Sequence, residues 1–368
     1  MDDKAKDYAR IRLRLSLIEI VIGFVFLAVF QFAGFSRDLA QWADAHTLFL
    51  WSQVFLYFLV FASAFWVVSL PLGWYRSFKL EHEYHLSNQS PGDWFKDELK
   101  SSLLSLLLVG AMVQGLYFLL HYFSRSWWFL AAVGWLLITV LLARVFPVLI
   151  LPLFYKLTPL EDVSLKKRLM DLVEKTGMTA INAFKMDMGA KTRKANAALM
   201  GVGRSRRVVL GDTLLENFSS EEIEVVLAHE LGHHKLRHIA QHLVLSTAAA
   251  LGGFYLIHLS EPFWLSVAGV ESVSSVAAFP LICLILTGLS LVLMPLQNGF
   301  SRVLERQADQ FALSLTGRSE DFISCMEKLA LQNLADPTPH PFVEWFFYDH
   351  PAISKRLAMG RAYAESLS

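Results

Sequence analysis

Cysteine is nearly missing from this 368-residue chain. Only Cys283 and Cys325 occur, too few for a disulfide framework or a four-thiolate zinc site. Charge is also scarce: Asp, Glu, Lys and Arg make up 18% of the residues, against about a quarter in a soluble domain. Acids and bases balance at 33 each, so no net field selects a polyanion and no nucleic-acid partner is expected. No internal repeat recurs, which excludes a solenoid and disfavours a repeat-built transporter. No G-x-S-x-G is present and both cysteines lie in apolar surroundings suited to packing, so a serine or cysteine nucleophile has no support.

What is abundant is apolar. Hydrophobic residues reach 54%, with 28 Phe and 10 Trp and a mean hydropathy of +0.42. A helix needs about 20 residues to cross hydrocarbon. Six runs suit that length, at roughly 15–35, 48–72, 101–123, 127–152, 242–260 and 275–296. The first has small residues only well beyond it, at Ala43 and Ala45, and reads as a retained helix rather than a leader. Lys4, Lys6, Arg10, Arg12 and Arg14 precede it; Arg76, Lys79, Lys96 and Lys100 fall in the 73–100 loop. The 153–241 segment carries Lys166, Lys167, Arg168, Arg204, Arg206 and Arg207, whereas the intervening connectors hold only Arg37 and Arg125. By the positive-inside rule both termini and both large polar segments face the cytoplasm.

The chain therefore divides into four parts: spans one to four in 1–152, a polar part in 153–241, spans five and six in 242–296, and a second polar part in 297–368. The polar parts are expected to pack as one domain split by a helical hairpin. Two charges lie within spans. Glu19 is expected near an interface, and Arg144, followed by Pro147 and Pro152, is expected to face inward.

In the polar parts, helical spacing predicts a helix over 162–175, and strand-like runs occupy 181–189 and 196–212, with Gly201 and Gly203 suggesting a hairpin. Ser219 or Ser220, with Glu221 and Glu222, opens a helix that is expected to run almost directly into the fifth span. A separate helix is predicted over 297–315, ending at Gly317. Further helices at 320–335 and 352–365 flank a loop containing Pro337, Pro339 and Pro341.

His229-Glu230-Leu231-Gly232-His233 is an H-E-x-x-H sequence on the first of these long helices. A spacing of four puts both imidazoles on one face, about 6 Å apart, where they can bind one zinc ion. Glu230 then stands beside the metal, placed to take a proton from water. A catalytic zinc needs a third protein ligand, and Glu305 on the helix returning from the last span is the best candidate. Asp309 shares its face and could orient a ligand or donate a proton. His234 and His238 also stand four apart but on another face, and read as polar or interfacial. His350 is equally a surface residue or a hydrogen-bond donor to the transition state.

Together HELGHH (229–234), ERQAD (305–309) and HPAISKR (350–356), with the stretches at 196–216 and 78–90, resemble the type I CAAX prenyl proteases, integral-membrane zinc peptidases. The resemblance covers roughly residues 70–360. It implies His229, His233 and Glu305 as zinc ligands, Glu230 as general base and Asp309 as proton donor. It also implies Asn196 and Ala197 on an edge strand that pairs with substrate, and His350 and Arg356 in the cleft, helping to hold the tetrahedral intermediate. The chain departs from the family in six spans rather than seven, in Tyr84 and His85, and in Ala198-Leu199-Met200 where aromatic residues are usual.

The expected fold is thus mainly α: a polytopic helical membrane protein of about six spans, with a split cytosolic zincin-like domain carrying a small β-hairpin or sheet. The expected function is a membrane-embedded zinc metalloendopeptidase with one zinc per chain. Its partners would be the bilayer and prenylated CAAX-type or membrane-associated peptides and proteins, in a bacterial inner membrane or the ER membrane with the active site facing the cytoplasm. The alternative is a quality-control protease that cuts misfolded, unprenylated membrane proteins. A metal carrier is disfavoured because the metal residues lie on extensions of the spans, not at the midplane.

Overall fold

In hydrocarbon only a ladder closed within the segment satisfies backbone polar groups, so the long apolar runs fold as helices. The computed structural model describes residues 2–201, 203 and 206–367; Val202, Arg204 and Ser205 of the expected hairpin turn lie outside the described residues. Helix α1 (Asp2–Phe32) leads through the short α2 (Phe35–Ala45) to α3 (Leu50–Trp74), which a π-turn carries into α4 (Leu80–Glu83). Helices α5 (Pro91–Tyr122) and α6 (Trp127–Val145) follow, and turns containing Pro147 and Pro152 end the first membrane section.

Next come β1 (Leu157–Pro159), α7 (Val163–Lys175), β2 (Ala183–Met186), β3 (Ala197–Met200), β4 (Arg207–Gly211), α8 (Asp212–Asn217) and α9 (Ser220–Lys235). Helices α10 (His238–Ala268) and α11 (Phe279–Thr316) return through the membrane section, and α12 (Ser319–Asn333), α13 (Pro341–Phe347) and α14 (Ile353–Leu367) complete the chain. Among the described residues, six helices are long and apolar enough to cross a membrane.

Two helix boundaries differ from expectation in opposite senses. The 297–315 helix is not separate: α11 runs unbroken from the sixth span, past Pro295, to Gly317 in the left-handed region. Conversely, α9 does not flow into the fifth span. It stops at Lys235, Arg237 adopts φ 58°, and α10 begins afresh at His238.

The sheet has four strands in the order β1-β2-β4-β3. β3 and β4 form the expected antiparallel pair, with Ala197 opposite Leu210 and Met200 opposite Arg207, whereas β2 lies parallel to β4. Val208, Val209 and Leu210 are essentially without exposure, as a central strand covered on both faces requires, and β3 is left with one free edge. The protease core joins β4 to α7, α9 and α12 through Leu169, Val208, Leu227 and Phe322.

A second core joins the membrane helices around Phe279, whose ring meets Phe61 edge-on at 5.2 Å and Phe58 at 5.9 Å. Buried Ser36 donates to the Ala277 carbonyl (2.8 Å), so this hydroxyl is not stranded. Glu19 pairs with Arg76. The 78–90 loop docks on the protease part: Ser87 bridges Thr192, and Lys194 contacts Glu81 (2.7 Å) and the Tyr8 hydroxyl (3.0 Å).

The start of α9 is held by a capping box. Ser219 Oγ accepts from the Glu222 N–H (3.2 Å), and the Glu222 carboxylate accepts from the Ser219 N–H (2.8 Å). That carboxylate also takes Ser324 Oγ (2.6 Å) and Lys328 Nζ (2.7 Å), tying α9 to α12. Burial pushes the Glu222 carboxyl up, but these donors outweigh it and leave it below the usual carboxylate range. Its stabilisation is therefore present above that range and lost as pH falls through the depressed value. Glu222→Ala should cost about 1–3 kcal/mol at neutral pH, read as a lower unfolding temperature in detergent, with the gap to wild type closing as pH falls below the usual carboxylate range. A gap independent of pH would refute the charge-based part.

Candidate metal centre

Helix α9 buries Ile223, Val225, Leu227 and Leu231 against the protease core, which leaves His229 and His233 one turn apart toward α11. The two helices touch at Gly232. A Cβ there would stand 3.1 Å from Ala308 Cα, 3.3 Å from the Ala308 oxygen and 3.2 Å from Phe311 Cδ1. This backbone approach brings Glu305 and Asp309 of α11 to the two histidines.

His229, His233 and Glu305 form a cluster whose donor atoms all lie within 4.8 Å of one another. The two Nε2 atoms are 3.1 Å apart, and each is 3.3 Å from a Glu305 carboxylate oxygen. A tetrahedral ion with bonds of about 2.0–2.1 Å holds its ligand atoms about 3.3 Å apart. The His–His distance comes close to this, while the two 3.3 Å contacts run to different Glu305 oxygens, Oε2 from His229 and Oε1 from His233, so the carboxylate straddles the site. Glu305 Oε2 is buried with no hydrogen-bond partner, an orphan acceptor that a cation would satisfy. Burial and the neighbouring His229 push His233 down to about 4, so it is a neutral imidazole with a lone pair to give. Burial also lowers His229, but Asp309 and Glu305 outweigh it and raise it to about 9; its proton stands where a cation would. The residues fit a divalent metal.

Asp309 does not face the cleft. It is fully buried behind His229, with Oδ1 2.9 Å from His229 Nδ1, and Arg356 grips both its oxygens at 2.8 and 2.6 Å. A carboxylate engaged by a guanidinium on both oxygens and aimed at the rear nitrogen of His229 is placed to orient that ring, the first of the two roles its spacing allowed, and away from the cleft where a proton donor would act. Arg356, expected to help hold the tetrahedral intermediate, spends two of its donors on Asp309. His238 also departs from expectation. It is buried, with Nδ1 3.0 Å from His233 Nδ1 and Nε2 3.1 Å from Gln307 Oε1. A continuous helix would have turned it away, and no sequence signal announced the break at Arg237.

A cavity of about 370 Å³ opens beside the donors. Asn196, Ala197, His229, Glu230, His350 and Arg356 all line it, and Leu214, Val226, Met326 and Leu329 form an apolar wall. Burial pushes the Glu230 carboxyl above its usual range. His350 Nε2 is 3.3 Å from Glu305 Oε2, and its hydrogen bond to Asp349 raises its own proton affinity. His234 Nε2 lies 2.8 Å from the Leu199 carbonyl, fastening the edge strand to α9. On the other side of His233 a larger cavity, about 770 Å³, is lined by Arg144, Arg237, His242 and Asn298. Arg144 is exposed and is among the residues lining this cavity.

Comparison with known proteins places these features. The CAAX prenyl protease N-terminal domain, described with five membrane helices, matches residues 2–156, and Peptidase family M48 matches residues 159–363. A Bacillus subtilis protein described as the uncharacterized metalloprotease YhfN is 28% identical over 360 residues, covering 96% of this chain and 84% of that one. CAAX prenyl protease 1 of Saccharomyces cerevisiae is 28% identical over 309 residues, covering 79% of this chain and 68% of its own. The crystal structure of Ste24p from S. mikatae superposes with a TM-score of 0.89 at 25% identity, covering 98% of this chain and 88% of that one.

In an open helix interior, Gly to Ala gains about 0.5–1 kcal/mol. At Gly232 the opposing atoms include backbone, which cannot swing away, and overpacking of this kind costs about 1–3 kcal/mol. Gly232→Ala should therefore lower the unfolding temperature and weaken zinc binding in a chelator competition. A variant more stable than wild type, with unchanged zinc affinity, would show that the helix contact does not set the donor spacing.

Proposed function

The chain belongs to peptidase family M48, and from that premise we propose that this multi-span membrane metalloendopeptidase cleaves near the C-terminus of prenylated CAAX-type peptides. One zinc ion per chain would be held by His229, His233 and Glu305. The observation that carries the reading is the single cavity shared by Glu230, His229, His350 and the start of edge strand β3. The basic loops support an active site on the cytoplasmic side, whether in a bacterial inner membrane or the ER membrane.

Zinc, when bound, supplies Lewis acidity, polarising a carbonyl and making water acidic enough to react near neutral pH. The rest is the work of side chains. Glu230 removes the proton from the attacking water and passes it to the leaving amine; its burial favours holding that proton in transit. His350, a donor beside Glu305, stabilises charge developing on the carbonyl oxygen. Asn196 and Ala197 take the peptide backbone along the free edge of β3, a mode that reads extended conformation rather than sequence. The wall of Leu214, Val226, Met326 and Leu329 accepts an aliphatic side chain next to the scissile bond. Asp309, fixed by Arg356, keeps His229 aimed.

Purified wild type and Glu230→Gln, given a farnesylated CAAX peptide and its unprenylated twin, test the reading. Only wild type should cut, with a loss in the variant of at least about 10³-fold despite full zinc occupancy. Robust cleavage by Glu230→Gln would sink the mechanism. Equal cleavage of both peptides by wild type would keep the metal chemistry and make the enzyme a general protease of membrane proteins. Glu305→Ala should lower bound zinc; full occupancy in that protein would mean another residue is the third ligand.

A further inference from the structure

We infer that His238 and Gln307 form a proton-ordered relay that fixes His233 in its metal-binding tautomer. They act as positioning residues, a role distinct from any contact with substrate. The inference rests on His233 being a metal ligand through Nε2. Ligation by Nε2 requires that the ring proton sit on Nδ1. That nitrogen is 3.0 Å from His238 Nδ1, which must then accept, so the His238 proton must sit on Nε2. His238 Nε2 is in turn 3.1 Å from Gln307 Oε1, an acceptor. One arrangement satisfies all three residues: His233 Nδ1–H donates to His238, and His238 Nε2–H donates to Gln307. The opposite tautomer of His238 would either set two N–H groups against each other or force the His233 proton onto Nε2, removing the lone pair that faces the metal.

The backbone is bent to make this contact. In an unbroken helix five residues correspond to about 140° of rotation, and His238 would point away from His233. Arg237 instead adopts the left-handed conformation (φ 58°, ψ 35°), unfavourable for a residue with a Cβ. The chain turns there, and His238 enters α10 buried to 1% exposure against the ligand. Gln307 comes from α11, two residues after Glu305, so the relay ties α9, α10 and α11 at one point. The two histidine ligands are thus backed differently: His229 by a carboxylate neutralised by Arg356, and His233 by a neutral imidazole.

The test is zinc affinity by chelator competition in the full-length detergent-solubilised protein, for wild type, His238→Leu, His238→Asn and Gln307→Leu. Cobalt(II)-substituted spectra and unfolding temperatures accompany each. Loss of a partner behind a histidine ligand typically weakens metal binding about 10–100-fold. His238→Leu should show that loss together with a shifted cobalt absorption band. His238→Asn, whose side-chain oxygen can accept where Nδ1 did, should recover most of the affinity. Gln307→Leu, at an exposed position with little risk to folding, should weaken zinc less than His238→Leu but in the same direction. Wild-type affinity and spectrum in both leucine variants, or an asparagine variant no better than leucine, would overturn the relay while leaving His233 a ligand. Failure of the wild-type protein to hold zinc would overturn both.

Discussion

The approach of α9 to α11 at Gly232 is the constraint on which the metal donors depend. Two of the candidate donors lie on one helix and one on the other, with their donor atoms within 4.8 Å of one another. A slip of one helical turn between the helices would be 5.4 Å, and even a few tenths of an ångström would loosen the site. Close packing of Gly232 on the Ala308 backbone removes that freedom. The buried Asp309–Arg356 pair adds the third element, α14, to the same register. Removing one partner of such a pair leaves an uncompensated buried charge, at a cost of about 3–5 kcal/mol. The pair is better understood as fixing one arrangement of three helices than as adding net stability.

The same helices decide how membrane and protease parts are joined. α11 passes from its apolar half to Glu305 and Asp309 without a break, so the orientation of the last span sets the orientation of two metal-site residues. α9 is instead uncoupled from the fifth span by the turn at Arg237. On the far side, Lys194 with Glu81 and Tyr8, and Lys191 with Asp97, fasten the segment before β3 to α1, α4 and α5. The edge strand and the metal donors are thus both referenced to the membrane helices, though through different contacts.

Much of this was legible in the residues. Apolar length marked the six helices because the bilayer imposes a length that few other environments demand. The H-E-x-x-H spacing and the returning Glu305 marked the donors, since four-residue spacing on a helix is nearly a distance measurement. Boundaries were less readable. The 297–315 helix was expected by itself, yet α11 reaches it unbroken from the last span, and a left-handed Arg237 carries no sequence signature, because Gly or Asn is the usual sign of such a turn. That one residue hid the partnership of His238 with His233. Asp309 was placed on the right face, but its role turned on Arg356, 47 residues away, and sequence spacing does not report such a contact.

The different backing of the two histidines has an electrostatic consequence. A carboxylate behind a ligand aims it well but also adds negative charge, which damps the pull of a cation on a carbonyl oxygen. Arg356 cancels that charge for Asp309 while leaving its oxygen on His229. Behind His233 a neutral imidazole takes the carboxylate's place. With Glu305 as the one negatively charged ligand, a divalent ion in the proposed site would keep a net positive charge, facing a cavity lined by Glu230, whose raised proton affinity makes its carboxylate form the stronger base toward a water proton. In the proposed site orientation would thereby be obtained without surrendering Lewis acidity, an arginine from α14 meeting the carboxylate behind one histidine and the first residue of α10 backing the other.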